Sequence, residues 1–163
     1  MRGIRIYSDA DFDAASPSDG STFALFFAPI LPKLAAIHWL YDTFPFGGWQ
    51  DTDCETAIAD LPNNDGYIAP DTLLPRFARY VSDDWSSLFG FQSLPDIPGM
   101  FGHIQPRDYE FISQHVALCI FSIDGAFWDF YAHDETLLST VQAHASSLPH
   151  VQVEQVDFSN FDM

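Results

Sequence analysis

Three aspartates at alternate positions, Asp9, Asp11 and Asp13, have the spacing in this sequence that comes closest to a catalytic motif. They follow a short apolar segment, and a strand that ends in Asp-x-Asp can hold Mg²⁺ and supply an aspartyl nucleophile. Such chemistry also needs a lysine in a motif further along the chain, but the sole lysine, Lys33, belongs to no such motif. The segment also lacks the glycine and glutamate of an EF-hand loop. A metal-dependent site, a weak calcium site and a solvated acidic loop therefore remain alternatives.

Two further acidic clusters, Asp51–Glu55 and Asp83-Asp84, each lie beside a tryptophan. An aromatic side chain surrounded by carboxylates suits the recognition of arginine and lysine on a partner protein. Neither cluster has a spacing that defines a paired acid and base. We predict that these clusters and the first one bind a partner, and the alternative is three unrelated solvated loops. The predicted partner-binding residues are Asp9, Asp11, Asp13, Trp49, Asp51, Asp53, Glu55, Asp83, Asp84 and Trp85.

The remaining motifs of common enzymes are missing from the sequence. There is no nucleophile elbow, no phosphate-binding loop and no glycine-rich dinucleotide fingerprint. The six histidines include no His-Glu-x-x-His motif, so we expect no metal site through them. Cys54 lies between Asp53 and Glu55, whose charges disfavour a reactive thiolate. We therefore predict a protein that is not an enzyme and needs no cofactor.

The charge balance indicates the kind of partner. The 163 residues contain 23 acids against six bases, a formal net charge of −17. This field repels nucleic acid and anionic membranes and attracts basic surfaces. Hydrophobic residues make up 47% of the chain, so it can bury a core and is not a disordered acidic tail. The alternative is that the acidity only keeps an aromatic-rich structural or adaptor domain soluble.

The C-terminal third has the clearest local structure. Apolar segments on both sides of Asp124-Gly125 predict a two-residue β-hairpin, with Phe121 opposite Trp128 and Cys119 opposite Phe130. That register places Asp129 opposite Ile120. A helix over 135–147 is then predicted to begin after an N-cap at Asp134, and a last strand is predicted over 151–158.

The N-terminal half is harder to interpret. We predict short strands over 4–7 and 23–28, and a helix over 32–43 from the spacing of Leu34, Ile37, Tyr41 and Phe44. A further helix is predicted from position 71 to 81, and long loops over 47–70 and 90–107. The whole pattern favours the α+β class, with one domain over 1–163, a largely antiparallel sheet, the C-terminal hairpin–helix–strand unit and two or three more helices.

The location of the protein follows from other features. Cys119 lies in an apolar segment and is expected to be a small buried hydrophobe. Two cysteines without close spacing form neither a metal site nor a disulfide framework, which favours a reducing cytoplasm. The N-terminal residues show no signal-peptide pattern, and the longest apolar stretch is too short for a bilayer.

The segment 123–138, from Ile123-Asp124-Gly125 through Trp128-Asp129 to Leu137-Leu138, is similar to hairpin-then-helix segments of immunity proteins from bacterial polymorphic-toxin systems. Small size, acidity and many aromatic residues add to this resemblance. It implies an inhibitor that binds one cognate toxin, such as a nuclease or deaminase, and occludes its basic active site. The interface residues of such pairs differ, so the resemblance assigns none here.

Overall fold

The computed structural model describes residues 1–8, 22–43, 67–68, 85–93, 108–123 and 127–158. Seven strands form one antiparallel sheet in the order β3-β2-β4-β5-β6-β1-β7. The strands are β1 (Arg2–Ser8), β2 (His38–Thr43), β3 (Tyr67–Ile68), β4 (Trp85–Phe91), β5 (Leu118–Ile123), β6 (Phe127–Ala132) and β7 (Val151–Asp157). The α+β class predicted from the sequence is confirmed.

Among the described residues, four α-helices and a 3₁₀ turn cover the two faces of the sheet. They are α1 (Thr22–Phe27), the 3₁₀ turn (Ala28–Ile30), α2 (Leu31–Leu34), α3 (Tyr109–His115) and α4 (Glu135–Ala145). On the first face, α1, α2 and α4 bury a core that includes Phe26, Phe27 and Val141. On the second face, α3 packs through Ile112 against a smaller core. Because β5 and β6 lie between these layers, their residues are almost all buried.

The helix and the last strand of the C-terminal unit form where the sequence predicts them. Asp134 caps α4, where its carboxylate accepts hydrogen bonds from the backbone N–H groups of Thr136 and Leu137 at 2.8 and 3.4 Å. The helical spacing of the apolar residues is confirmed, because Leu137, Leu138, Val141 and Ala145 are the buried residues of α4. Cys119 is fully buried, as expected of a small core hydrophobe.

The hairpin itself is confirmed, but its register is not the predicted one. Phe121 lies opposite Asp129, and Ile120 lies opposite Phe130, one residue away from the prediction. Three residues, 124–126, therefore connect the strands instead of two. Since both faces of β5 and β6 are buried, either register hides the same apolar side chains, and hydrophobic alternation alone does not fix the pairing.

Two predictions in the N-terminal half are wrong. The segment 23–28 is helical, because Phe23, Phe26 and Phe27 lie three and four residues apart and share the buried face of α1. The predicted helix over 32–43 ends at Leu34, and β2 follows it. In β2, Trp39 packs in the first-face core and Leu40 in the second, which is the alternation of a strand.

The first and the last predicted strands are present in the structure. The strand predicted over 4–7 is confirmed within β1, and the last strand is confirmed as β7. The helix predicted from 71 to 81 lies outside the described residues. So do most of the two predicted loops, apart from β3 and the end of β4. Among the described helices, none is long and apolar enough to cross a membrane.

Candidate functional site

The predicted partner-binding residues lie almost entirely outside the part of the chain that the structure describes. Only the backbone of Trp85 is within it, as the first residue of β4, opposite Ile123 of β5. The structure therefore neither brings the three acidic clusters together nor separates them. Within the described ranges, no group of three or more histidine, cysteine, aspartate or glutamate side chains could hold a metal ion.

A cluster of charged and phenolic side chains lies on the second face of the sheet, where sequence reasoning placed none. Its centre is Asp129 of β6, whose side chain is fully buried. Arg5 of β1 lies opposite Asp129 and donates two hydrogen bonds to its carboxylate, from Nε at 2.7 Å and from Nη2 at 2.8 Å. The fork geometry of the guanidinium satisfies both carboxylate oxygens, so the ion pair closes the junction between β1 and β6.

Tyr131 supplies a third donor to this carboxylate. Its hydroxyl donates to Asp129 Oδ2 at 3.0 Å. Burial, and then the negative charge of Asp129, raise the pKa of Tyr131 far above its usual value, so the phenol stays protonated and remains a donor. The ring fits because residue 3 is glycine: a β-carbon at Gly3 would lie 2.2 Å from Tyr131 Cδ1.

The outer side of the cluster reaches the last strand of the sheet. The Arg5 guanidinium carbon lies 4.0 Å from the centre of the Phe127 ring, within the range of a cation–π contact. Tyr7 donates a hydrogen bond to Glu154 of β7 at 2.5 Å. That bond raises the pKa of Tyr7, because ionising the phenol would remove its proton from the carboxylate and add a second negative charge. The hydrogen bond thus joins Tyr7 of β1 to the exposed side chain of Glu154 on β7.

The register aligns these residues in a row that crosses the sheet. Ser87 lies opposite Phe121, Phe121 opposite Asp129, Asp129 opposite Arg5, and Arg5 opposite Glu154. Ser87 is buried, and within the described chain its hydroxyl has no hydrogen-bond partner.

The chemistry available to this cluster is that of fixed charges. The Asp129 carboxylate is sealed from solvent, and its hydrogen bond and charge raise the pKa of Arg5 further above its usual value. Arg5 therefore keeps its charge, and both phenols keep their protons, at neutral pH. The inner residues stabilise strand pairing, while Glu154 is the member that a partner can reach.

One signal in the sequence was available for this cluster. Asp129 stands in an otherwise apolar strand, and a buried carboxylate requires a cationic partner. With only six bases in the chain, the candidates were few. Choosing Arg5 among them requires the pairing of β1 with β6, which are 124 residues apart and have no local signal.

The structure and the sequence were also compared with known proteins. No family model, no curated protein and no solved structure matches this chain.

Proposed function

We propose that this protein is an immunity-like inhibitor that binds and occludes the basic active-site cleft of a cognate toxin enzyme. The charge balance carries this proposal. With 23 acids and six bases, the chain has 17 more carboxylates than lysine and arginine side chains. A basic cleft that normally accepts nucleic acid supplies cations for this excess, and a nuclease or deaminase has such a cleft.

The distribution of the charge along the chain supports the proposal. The described residues contain eight acids and three bases, a formal charge of −5, so the remaining segments carry −12 of the total −17. Two of the three described bases already form ion pairs, Arg5 with Asp129 and Arg2 with Glu135. The acid excess is thus concentrated in the segments outside the described residues, which also contain almost all of the predicted partner-binding residues.

The mechanism assigns separate roles to charge and to aromatic side chains. Acidic clusters accelerate the encounter with a basic cleft, since electrostatic steering acts mainly on the association rate. Trp49 and Trp85 supply apolar area, which slows dissociation. The proposal places the protein in the cytoplasm of the toxin-producing cell, with no nucleic acid or membrane as its partner.

The direct test is neutralisation of a toxin domain encoded by the adjacent upstream gene. Co-expression is expected to restore growth to cells that produce this domain, and the two purified proteins are expected to form a stable complex. An active upstream toxin that the protein neither binds nor neutralises would refute the proposal.

A pair of charge variants tests the mechanism. Replacing Asp51 and Asp53 by Asn should slow association about tenfold at low salt and weaken its dependence on salt. The control, E110Q with E135Q, removes the same number of charges from two exposed positions on the scaffold. Equal rates for the two double variants would mean that the Asp51–Glu55 cluster has no special role in the encounter.

A further inference from the structure

The sheet ends on β7, a regular strand of seven residues. Its pairing with β1 is continuous, from Arg2 opposite Asp157 to Ser8 opposite Val151, with no bulge. The sheet order gives β7 no second neighbour among the described strands.

The pattern of hydrogen bonds shows which backbone groups of β7 face outward. Phe158 N–H donates to Met1 O, so position 158 belongs to the hydrogen-bonded pairs between the two strands. Hydrogen-bonded pairs alternate along an antiparallel ladder. Positions 156, 154 and 152 therefore also bond to β1. The backbone N–H and C=O groups of Val151, Val153 and Gln155 point away from β1, towards the side on which β7 has no neighbour among the described strands.

Among the described residues, this edge lacks most of the features that prevent a sheet from pairing with another chain. Natural edge strands are commonly short, bulged, or interrupted by proline or lysine. β7 is long and regular, and its sequence, Val-Gln-Val-Glu-Gln-Val-Asp, contains no proline and no base. Only Glu154 and Asp157 are charged, so the edge repels acidic strands and admits basic ones.

A second copy of this chain is a poor occupant. Antiparallel pairing centred on the middle of β7 would place Glu154 opposite its own copy, and like charges opposite each other destabilise a sheet. It would also join two chains that each carry −17. Tyr7 donates a hydrogen bond to Glu154, which restricts the carboxylate and lowers the ordering cost of pairing it with a cation on an incoming strand.

We infer that β7 is the docking edge for an extended basic segment of the toxin partner, which adds to the sheet as an eighth, antiparallel strand. This inference rests on the proposed function. Backbone hydrogen bonds at Val151, Val153 and Gln155 provide the affinity, and a lysine or arginine opposite Glu154 provides the selectivity for basic sequences.

A peptide designed for this register tests the inference on the wild-type protein. The heptapeptide Lys-Val-Thr-Lys-Val-Thr-Val, blocked at both ends, places its lysines opposite Asp157 and Glu154 when it runs antiparallel to β7. Titration at millimolar concentration is expected to shift the amide NMR signals of Val151, Val153 and Gln155 and to slow their hydrogen exchange at least tenfold. Replacing both lysines by glutamate should abolish these changes.

N-methylation of the peptide provides a matched control. Methyl groups on its third and fifth amides, which face β7, should abolish binding, whereas methyl groups on the fourth and sixth amides should not. No response from β7, equal binding of both methylated peptides, or equal binding of the acidic peptide would overturn the inference. So would concentration-dependent dimers formed through β7 without the peptide.

A second pair of variants connects the edge to neutralisation. In Q155P the outward N–H of position 155 is lost while the ladder to β1 is kept, and Q155A keeps that N–H. We expect Q155P to bind the toxin domain at least tenfold more weakly than Q155A. Full neutralisation by a folded Q155P would overturn the docking edge and leave the proposed function intact. Failure of the wild-type protein to neutralise would instead refute the proposed function, whereas the peptide titration tests the edge without the toxin.

Discussion

Asp129 is expected to have a large effect on stability, because its charge is fully buried and depends on Arg5 and Tyr131. A buried ion pair contributes little relative to a well-packed apolar pair, but removing one partner leaves an uncompensated charge. We expect D129N and R5M each to lower the free energy of unfolding by about 3–5 kcal/mol. Denaturant unfolding at neutral pH measures both changes.

The double variant R5M/D129N distinguishes an ion pair from two independent contributions. With both charges gone, no buried charge is left unpaired, and the amide oxygen at position 129 can still accept from Tyr131, so the combined loss should be smaller than the sum of the single losses by at least about 1 kcal/mol. Additive losses would show that the two side chains do not stabilise the fold through each other.

Tyr131 makes the stability of the protein sensitive to alkaline pH. Its folded pKa is raised by burial and by Asp129, so above about pH 10 the unfolded chain ionises this phenol while the folded protein keeps it protonated. The protonated phenol therefore makes its full contribution to the free energy of unfolding below about pH 10, and this contribution is lost as the pH rises towards the pKa in the folded state. We expect Y131F to lower the free energy of unfolding by about 1–2 kcal/mol at neutral pH. Between pH 9 and 11, the free energy of unfolding of this variant should fall less steeply than that of the wild type. Parallel stability curves for the two proteins would contradict this prediction.

At the scale of the elements, the Asp134 cap is expected to stabilise α4 and, through it, the whole fold. Backbone hydrogen bonds from Thr136, and then from Leu137, lower the pKa of Asp134, so the cap is strongest when the carboxylate is charged. We expect D134A to lower the melting temperature by about 2–4 °C at neutral pH, and D134N, which keeps an acceptor, to lower it less. Because the pKa of Asp134 is lowered in the folded protein, the contribution of the charged cap to stability is lost as the pH falls through that pKa. The gap between wild type and D134A should therefore narrow below pH 4, and a constant gap in thermal melts would refute this account.

The elements that could be predicted are those with a local signal. The N-cap at Asp134, the spacing of Leu137 and Val141, and the apolar segments of the hairpin suffice for the C-terminal unit, because each acts within a few residues. The helix α1 was mistaken for a strand because a short run of phenylalanines satisfies both periods. Pairings such as Arg5 with Asp129 could not be predicted, since they depend on which distant strands become neighbours.

At the scale of the whole molecule, the charge both favours a basic partner and strains the folded state. Seventeen excess negative charges repel one another more in the compact fold than in the expanded chain. Salt screens this repulsion, and the Debye length falls from about 30 Å at 0.01 M to about 8 Å at 0.15 M. We expect sodium chloride to raise the stability by on the order of 1 kcal/mol, or about 2–4 °C, with most of the gain reached by 0.15 M.

The shape of this salt response separates screening from the exclusion of salt from the surface. Screening saturates once the Debye length is short, whereas exclusion grows steadily with concentration and is much stronger for sulfate than for chloride. The variant D51N/D53N/D83N/D84N, with four negative charges fewer than the wild type, should be more stable at low salt and gain less from added salt. If this variant and the wild type respond equally, self-repulsion does not limit the stability of the fold. The acidity would then act only through the proposed attraction of a basic partner.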